Sequence, residues 1–441
     1  MAIDGQADLA SLVQPRRVHR RAFVDPQVFA EEQRRIFSST WLYVGHDSEV
    51  EAPGSFKATT LGIQPVLLTR DTAGALHVLV NSCRHRGVRL ADDHTRGCTR
   101  HLVCPYHGWT FELGGKLVSV PMRDRQASDF SEETFGLIGL RVDSYRGFVF
   151  ATFDRAAPTL VEHLGAAARY LDLFADLSPT GKIRLESGVT KYQFKGNWKQ
   201  QVENSMDGYH PAIVHHSFFE DVLKPRVGRG MGFIVGPESP AKSVALGNGH
   251  ALLDFSMFDR KGMLGAAKAQ SEIEWHEKVR ARLADRPDYA EEVIRCNGGD
   301  GFNLLVFPNL VLINNQVRVI HPLTYDTTEV YAYPATLEDV APQINTVRIR
   351  AHEDFYGPAS FGAPDDIEMF QRQWDGLVRA TAMEWLCYDR GAEQERPLGG
   401  DGPESPIESH IADETAHRGI WRRWAELMAE PAPRPIAEAA E

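Results

Sequence analysis

Between residues 40 and 154 the apolar residues fall in short runs, at 41–44, 55–60, 65–69, 76–80, 118–120 and 145–153. Each run is rich in β-branched or aromatic residues and ends in Gly, Pro or a polar cluster, a pattern that predicts a small all-β domain. Two polar, glycine-bearing loops, 81–90 and 104–115, interrupt these strands. Long loops on a β scaffold are where binding groups concentrate. Beyond Pro158 the period changes. Residues 160–177 space their apolar positions as an amphipathic helix, closed by Ser178 and Pro179, and a second domain begins here. It continues with a β-run over 183–194, a helical stretch from 198 to about 219, strands over 301–320 and 329–335, and a helix over 365–389. That last helix starts after Pro364 and carries acids in its first turn, where the helix dipole favours them. Residues 431–441, rich in Pro and Ala, read as a mobile tail.

At 441 residues the chain exceeds one ordinary core, so two domains, or a large domain carrying a smaller insert, are expected. Apolar residues make up 43% and charged residues 24%, as in a soluble globular protein. No run approaches the ~20 apolar residues that span a bilayer, so no membrane partner is expected. The net charge of −12 argues against nucleic acid, whose phosphates require a basic face. Arg16, Arg17, His19, Arg20 and Arg21 form a local exception and read as a solvated or subunit-facing stretch. The N-terminus, with Asp4 and Asp8 and no apolar segment, does not resemble a signal peptide, and an odd number of cysteines, five, fits a reducing compartment. The expected location is the cytoplasm.

Candidate chemistry sits in the two polar loops. Cys83-Arg84-His85-Arg86-Gly87 and Cys104-Pro105-Tyr106-His107-Gly108-Trp109 each supply one Cys and one His, close enough for a tight loop to aim both at one metal centre. Thiolates with imidazoles suit tetrahedral zinc or a [2Fe–2S] cluster in which one iron takes two Cys and the other two His. Order separates the two. Zinc modules usually keep their cysteines together and their histidines together, whereas a Rieske centre draws one ligand of each kind from each loop. Gly87 and Gly108 suit loops that fold closely around inorganic sulfides. Such a cluster relays electrons. His94, Cys98 and His101 lack paired spacing and read as ordinary residues, while Cys296 and Cys387 read as buried free thiols.

A second group lies in Glu203-Asn204-Ser205-Met206-Asp207-Gly208-Tyr209-His210-Pro211-Ala212-Ile213-Val214-His215. Five residues of ideal helix would set the two histidines about 140° apart, too far round for one metal. Pro211 breaks or kinks the helix and can return His215 to the metal. Two His and one carboxylate with open positions is the arrangement for non-heme Fe(II) that activates dioxygen. Spacing leaves Asp365, Asp366 and Glu368 open as the carboxylate. Asp207, three residues before His210, can hold the ring N–H of that histidine. The pocket wall is expected to include Asn204, Met206, Ala212, Phe218, Phe219, Val222 and Leu223, a largely apolar set. Arg318 lies in the run 311–320 with Leu312, Asn314 and Gln316, opposite the face of Val311, Ile313, Val317 and Val319. A structural role is favoured for it over a carboxylate clamp.

These motifs, with Asn197-Trp198-Lys199 and Phe307-Pro308-Asn309 in order, resemble the α subunits of the Rieske non-heme iron aromatic ring-hydroxylating oxygenases, the group of naphthalene, biphenyl and benzoate dioxygenases. The resemblance covers residues 34–389. It implies an α+β fold, with an all-β Rieske domain at 39–157 inserted near the N-terminus of a larger helix-grip catalytic domain with an antiparallel sheet, at 1–38 and 158–430. It implies that Cys83, His85, Cys104 and His107 hold the cluster, that His210, His215 and Asp366 hold the iron, and that Asp207 bridges electron transfer between subunits. The implied assembly is at least an α3 trimer, expected as α3β3 with a small β subunit. NAD(P)H supplies electrons through a flavin reductase, with or without a ferredoxin, and O2 is co-substrate. The expected outcome is cis-dihydroxylation of an aromatic ring; ring monohydroxylation or oxidative demethylation is an alternative, and a Rieske electron-transfer protein without an oxygenase site is an alternative of another class.

Overall fold

The computed structural model describes residues 9–227, 232–258, 269–297, 301–357, 359–399 and 405–431. Apart from Pro431, the tail expected over 431–441 lies outside these residues. The chain divides into two compact units, one of Gln33–Leu160 and one of the residues up to Glu32 together with Val161–Pro431.

The smaller unit is all β among its described strands. A four-stranded sheet runs Leu76–Val80, Gln64–Arg70, Ser55–Leu61, Arg96–Cys98; a three-stranded sheet runs Arg141–Tyr145, Phe148–Thr152, Leu42–His46; another runs Leu117–Ser119, Thr110–Glu112, His101–Val103. The run expected over 145–153 is a hairpin end, because Arg146 and Gly147 both take positive φ and turn the chain (54° and 86°). The strands 96–98, 101–103 and 110–112 escaped the pattern because three residues are too short to show a period of two. The core gathers Leu67, Leu79, Leu102, Trp109, Phe111 and Leu113 around Cys83 and Cys104.

The larger unit is built on a nine-stranded antiparallel sheet in the order Thr190–Lys195, Thr327–Pro334, Gln316–Thr324, Leu310–Ile313, Phe302–Val306, His250–Asp254, Lys242–Gly247, Ile407–His410, Arg396–Pro397. The α+β class and the antiparallel catalytic sheet are as the sequence implied. The helix Thr415–Ala429 lies against this sheet at Gly419, where a Cβ would come within 2.5 Å of that of Ala245. The helix Ala363–Arg379 sets Phe370 on Phe194, ring centroids 4.7 Å apart.

Three expectations are corrected. The helical stretch from 198 to about 219 is two helices, Trp198–Ser205 and Pro211–Val214, followed by a wider π-helical turn, Phe218–Leu223. The helix expected over 365–389 runs from Ala363 to Arg379, since Trp385–Cys387 pairs as a strand with Arg17–His19. On that strand Cys387 is exposed rather than buried. The basic stretch at 16–21 is largely compensated within the chain: Arg16 pairs with Asp389 (3.3 Å), Arg21 with Asp25 (2.7 Å), and Arg17 covers the Trp385 ring.

The helix Trp198–Ser205 is held at both ends. Asn197 caps it, accepting from the Lys199 backbone N–H (3.2 Å) while Gln200 accepts from the Asn197 N–H (2.8 Å). Glu32, wholly buried, accepts from Trp198 Nε1 (2.9 Å), Lys199 Nζ (2.5 Å) and Trp424 Nε1 (2.7 Å). Toward the other end Glu203 accepts from Tyr388 OH (2.5 Å) and Trp421 Nε1 (2.6 Å). Glu32→Ala strands the Lys199 ammonium, and a broken buried pair costs about 3–5 kcal/mol. Urea denaturation followed by tryptophan fluorescence should show that loss. Glu368→Ala, which removes an exposed pair with Arg372, should change stability by less than about 0.5 kcal/mol. Equal effects of the two substitutions would contradict the anchor.

Candidate iron centres

The two Cys/His loops of the smaller unit share one hydrogen-bond plan. Cys83 N–H donates to Val88 O (2.9 Å) and Gly87 N–H to Cys83 O (2.8 Å); Cys104 N–H donates to Trp109 O (2.8 Å) and Gly108 N–H to Cys104 O (3.0 Å). Each loop therefore closes five residues after its cysteine, through a glycine at positive φ (74° and 70°). At Gly108 a Cβ would also meet Pro121 at 3.2 Å. The His85 and His107 rings meet edge to face at 4.6 Å, and His85 stacks on Trp109 at 4.9 Å. Both cysteines are buried free thiols. Burial raises the Cys83 thiol and lowers His85, as does its neighbour His107. Nδ1 of His85 and Nδ1 of His107 are buried without a hydrogen-bond partner. Orphaned ring nitrogens beside paired thiols fit a cluster with one Cys and one His from each loop.

In the larger unit, His210, His215 and Asp366 bring one ligand atom each within 4.8 Å of one another. Pro211 acts differently from the kink expected of it. The first helix has already ended at Ser205, and Pro211 opens a one-turn helix whose two ends are His210 and His215. Gly208 permits the intervening turn, since a Cβ there would strike Ile411 O at 2.4 Å. Asp207 Oδ1 accepts from the backbone N–H of Tyr209 (2.6 Å) and His210 (3.3 Å), and its Oδ2 lies 3.4 Å from His210 Nδ1.

Asp366 stands in the first turn of its helix with Oδ1 3.1 Å from His215 Nε2 and 3.5 Å from His210 Nε2. The His215 nitrogens nonetheless have no hydrogen bond of proper geometry. Donor atoms that crowd together without pointing at each other are what converging ligands look like, and two His with one carboxylate suit non-heme iron. Burial pushes the Asp366 carboxyl up, but His215 and His210 overcome this and hold it below the usual range. His210 is opposed by burial and raised by Asp207 and then Asp366.

Of the three acids that spacing left open, Asp366 faces both imidazoles, while Glu368 turns outward to Arg372 (2.7 Å). Asp365 Oδ2 lies 3.6 Å from His215 Nδ1, on the far side of that ring. Asn204, expected only as pocket wall, reaches Asp366 Oδ1 (3.0 Å) and His210 Nε2 (3.2 Å). Phe218 and Phe219 join a ring cluster with Phe355, which packs on His215 at 5.1 Å. Met206 is fully buried, and Ala212, Val222 and Leu223 are half-buried. Sequence reasoning weighed Asp365 only as a ligand and did not place it beside the Nδ1 side of His215, nor did it find Phe355 against that ring.

Residues 40–145 match the Rieske [2Fe-2S] domain, and residues 174–430 match the ring hydroxylating alpha subunit catalytic domain. The chain belongs to the ring-hydroxylating oxygenase α subunits. It is 32% identical to the anthranilate 1,2-dioxygenase large subunit of Acinetobacter baylyi, over 86% of this chain and 81% of that one. It is 29% identical to the biphenyl dioxygenase subunit alpha of Metapseudomonas furukawaii, over 93% and 92%. Its structure matches naphthalene 1,2-dioxygenase with indole in the active site at a TM-score of 0.82 and 26% identity, over 97% and 96%. As a ring-hydroxylating α subunit it is an oxidoreductase that carries a Rieske cluster and a mononuclear iron and serves as a terminal oxygenase. An electron-transfer protein without a catalytic domain, and a zinc module, are both disfavoured by the two family matches.

Asp366→Ala should abolish retention of mononuclear iron through gel filtration while leaving the visible absorbance of the [2Fe–2S] cluster intact. Asp365→Asn should keep the iron but weaken it roughly 10- to 100-fold in a chelator competition, as loss of a partner behind a ligand histidine does. Iron retained at full stoichiometry by Asp366→Ala would remove this residue from the ligand set.

Proposed function

We propose that this chain catalyses cis-dihydroxylation of an aromatic ring, with Cys83, His85, Cys104 and His107 as cluster ligands and His210, His215 and Asp366 as iron ligands. One observation carries the residue assignment: two Cys/His loops with buried cysteines and the same backbone hydrogen bonding, and a crowded two-His, one-carboxylate group, occur in a single chain. When bound, the two centres supply stored electrons and dioxygen activation; the protein supplies position and exclusion of water. Asn204 aligns Asp366 and His210 through its amide. Asp365 steadies His215 from behind. Phe218, Phe219 and Phe355 present the apolar side that an aromatic ring requires.

Asp207 fixes the Nδ1 side of His210 and, in this proposal, connects the iron of one subunit with the cluster of the next in an α3 ring. The term large subunit in the name of the anthranilate relative supports a small β subunit and an α3β3 assembly. A flavin reductase, with or without a ferredoxin, delivers electrons from NAD(P)H in the cytoplasm. No helix among the described residues is long and apolar enough to cross a membrane.

With reductase, NADH and 18O2, an aromatic substrate should yield a cis-diol carrying both labelled atoms. A product with one labelled oxygen would replace dihydroxylation by monohydroxylation. Asp207→Ala should lower turnover roughly 10- to 100-fold while substrate affinity and the visible absorbance of the [2Fe–2S] cluster stay at the wild-type level, with turnover compared at matched mononuclear iron content.

A further inference from the structure

The Asn204 amide turns its nitrogen toward the iron ligands, 3.0 Å from Asp366 Oδ1 and 3.2 Å from His210 Nε2. An amide has almost the same shape either way round, so only its partners decide whether N–H donors or a carbonyl oxygen meet a carboxylate. Turned over, Asn204 would set oxygen against oxygen. What fixes its direction lies on the preceding turn of its own helix.

Gln201, Asn204 and Ser205 share one face of the helix Trp198–Ser205, and Gln201 is only 1% exposed. Ser205 donates its one hydrogen to Gln201 main-chain O (2.7 Å) and accepts from Arg318 Nη1 (3.1 Å), a group with no acceptor of its own. What Ser205 offers the Gln201 side chain is therefore a lone pair, and Gln201 Nε2 faces it at 3.2 Å. The other N–H of Nε2 is directed at Asn204 Oδ1 (3.4 Å). Gln201 Oε1 is left for Tyr192, whose hydroxyl donates to it at 2.7 Å. Burial raises the Tyr192 phenol above its ordinary value, so that donor keeps its proton. Arg318 is itself held by Gln316 Oε1 (2.7 Å), whose amide nitrogen then faces His352 Nδ1 (3.2 Å).

We propose that Tyr192 and Gln201 are positioning residues for the mononuclear iron, fixing the direction of the Asn204 amide so that it donates toward Asp366 and His210. The inference rests on the ligand set proposed above and adds what aligns it. With Oδ1 of Asn204 engaged by Gln201, its Nδ2 has no alternative but the ligand side. Neither Tyr192 nor Gln201 touches a ligand, so any effect they have on the iron passes through that amide.

The test uses the full chain with its cluster loaded and measures the binding of ferrous iron against a competing chelator. Gln201→Met should weaken iron roughly 10- to 100-fold, as loss of a partner behind a ligand does, and Tyr192→Phe should weaken it less. A double-mutant cycle separates this role from a merely structural one. In an Asn204→Leu background Gln201→Met should add no further loss, because the amide it directs is gone. Should Asn204→Leu hold no iron, the cycle is closed with Tyr192→Phe, which should add nothing to Gln201→Met. Should Gln201→Met fail to fold, Tyr192→Phe, the loss of one hydroxyl, is paired with Asn204→Leu instead. Wild-type iron affinity in both Gln201→Met and Tyr192→Phe, or losses that simply add in the cycle, overturns the proposal. Asp366→Ala keeps this failure apart from that of the ligand set. Iron lost from Asp366→Ala but unchanged in Gln201→Met and Tyr192→Phe sinks only the positioning role; iron retained by Asp366→Ala removes both.

Discussion

The catalytic unit depends on a helix of eight residues that could not hold itself in place. Trp198–Ser205 is too short for backbone hydrogen bonds alone to fix it, since isolated helices under about 12 residues are marginal. It is fixed by two buried carboxylates. Glu32 gathers the Trp198, Lys199 and Trp424 donors, and Glu203 gathers those of Tyr388 and Trp421. The acceptor Glu32 lies on an N-terminal helix, and the donors come from the short helix itself, a late loop and the last described helix. The two ends of the catalytic unit are thereby tied to the segment that positions Asn204, Ser205, Asp207 and His210. Burial opposes the charge on Lys199 and on Glu203, so such carboxylates hold only while every donor is present.

Polar satisfaction also marks where the function lies. Buried donors and acceptors in folded proteins are nearly always paired. Here unpaired ring nitrogens occur on His85 and His107 in one unit, and on His163, His210, His215, His352 and His417 in the other, so an open nitrogen marks a site only where other donor atoms converge on it. The same principle governs both kinds of site. Where thiols or a carboxylate crowd around the open nitrogens, the donor set is the one a metal would complete.

Much of this was legible in the sequence, and the reasons for the gaps are local. The cluster loops could be read because all four candidate ligands lie within 25 residues of chain, Cys83 to His107, and each loop is a self-contained turn. The pair His210 and His215 was visible, but its geometry was not: the break falls at Met206 to Gly208, where the approach of Ile411 demands glycine, and Pro211 starts a new helix. Choosing among Asp365, Asp366 and Glu368 needs the direction in which a helix enters the site, which no spacing encodes. Phe355 and His352 belong to a helix, Pro342–Tyr356, that meets the site only through tertiary packing. Cys387 was read as buried because a free cysteine usually is; strand pairing with Arg17–His19 leaves it at the surface.

The placement of Arg318 turns on a similar local event. Taken as one unbroken strand, residues 311–320 put Arg318 on the face opposite Val311 and Ile313. Asn314, at φ 53°, instead begins a turn with Asn315, and the chain reverses into a hairpin. Val311 then pairs with Arg318 and Ile313 with Gln316. Residues directly opposite in an antiparallel pair share a face, so Arg318 and Gln316 stand on the side that the unbroken strand would have given to Val311 and Ile313. The turn thus brings a charged and an amide side chain onto a surface otherwise made of branched aliphatics.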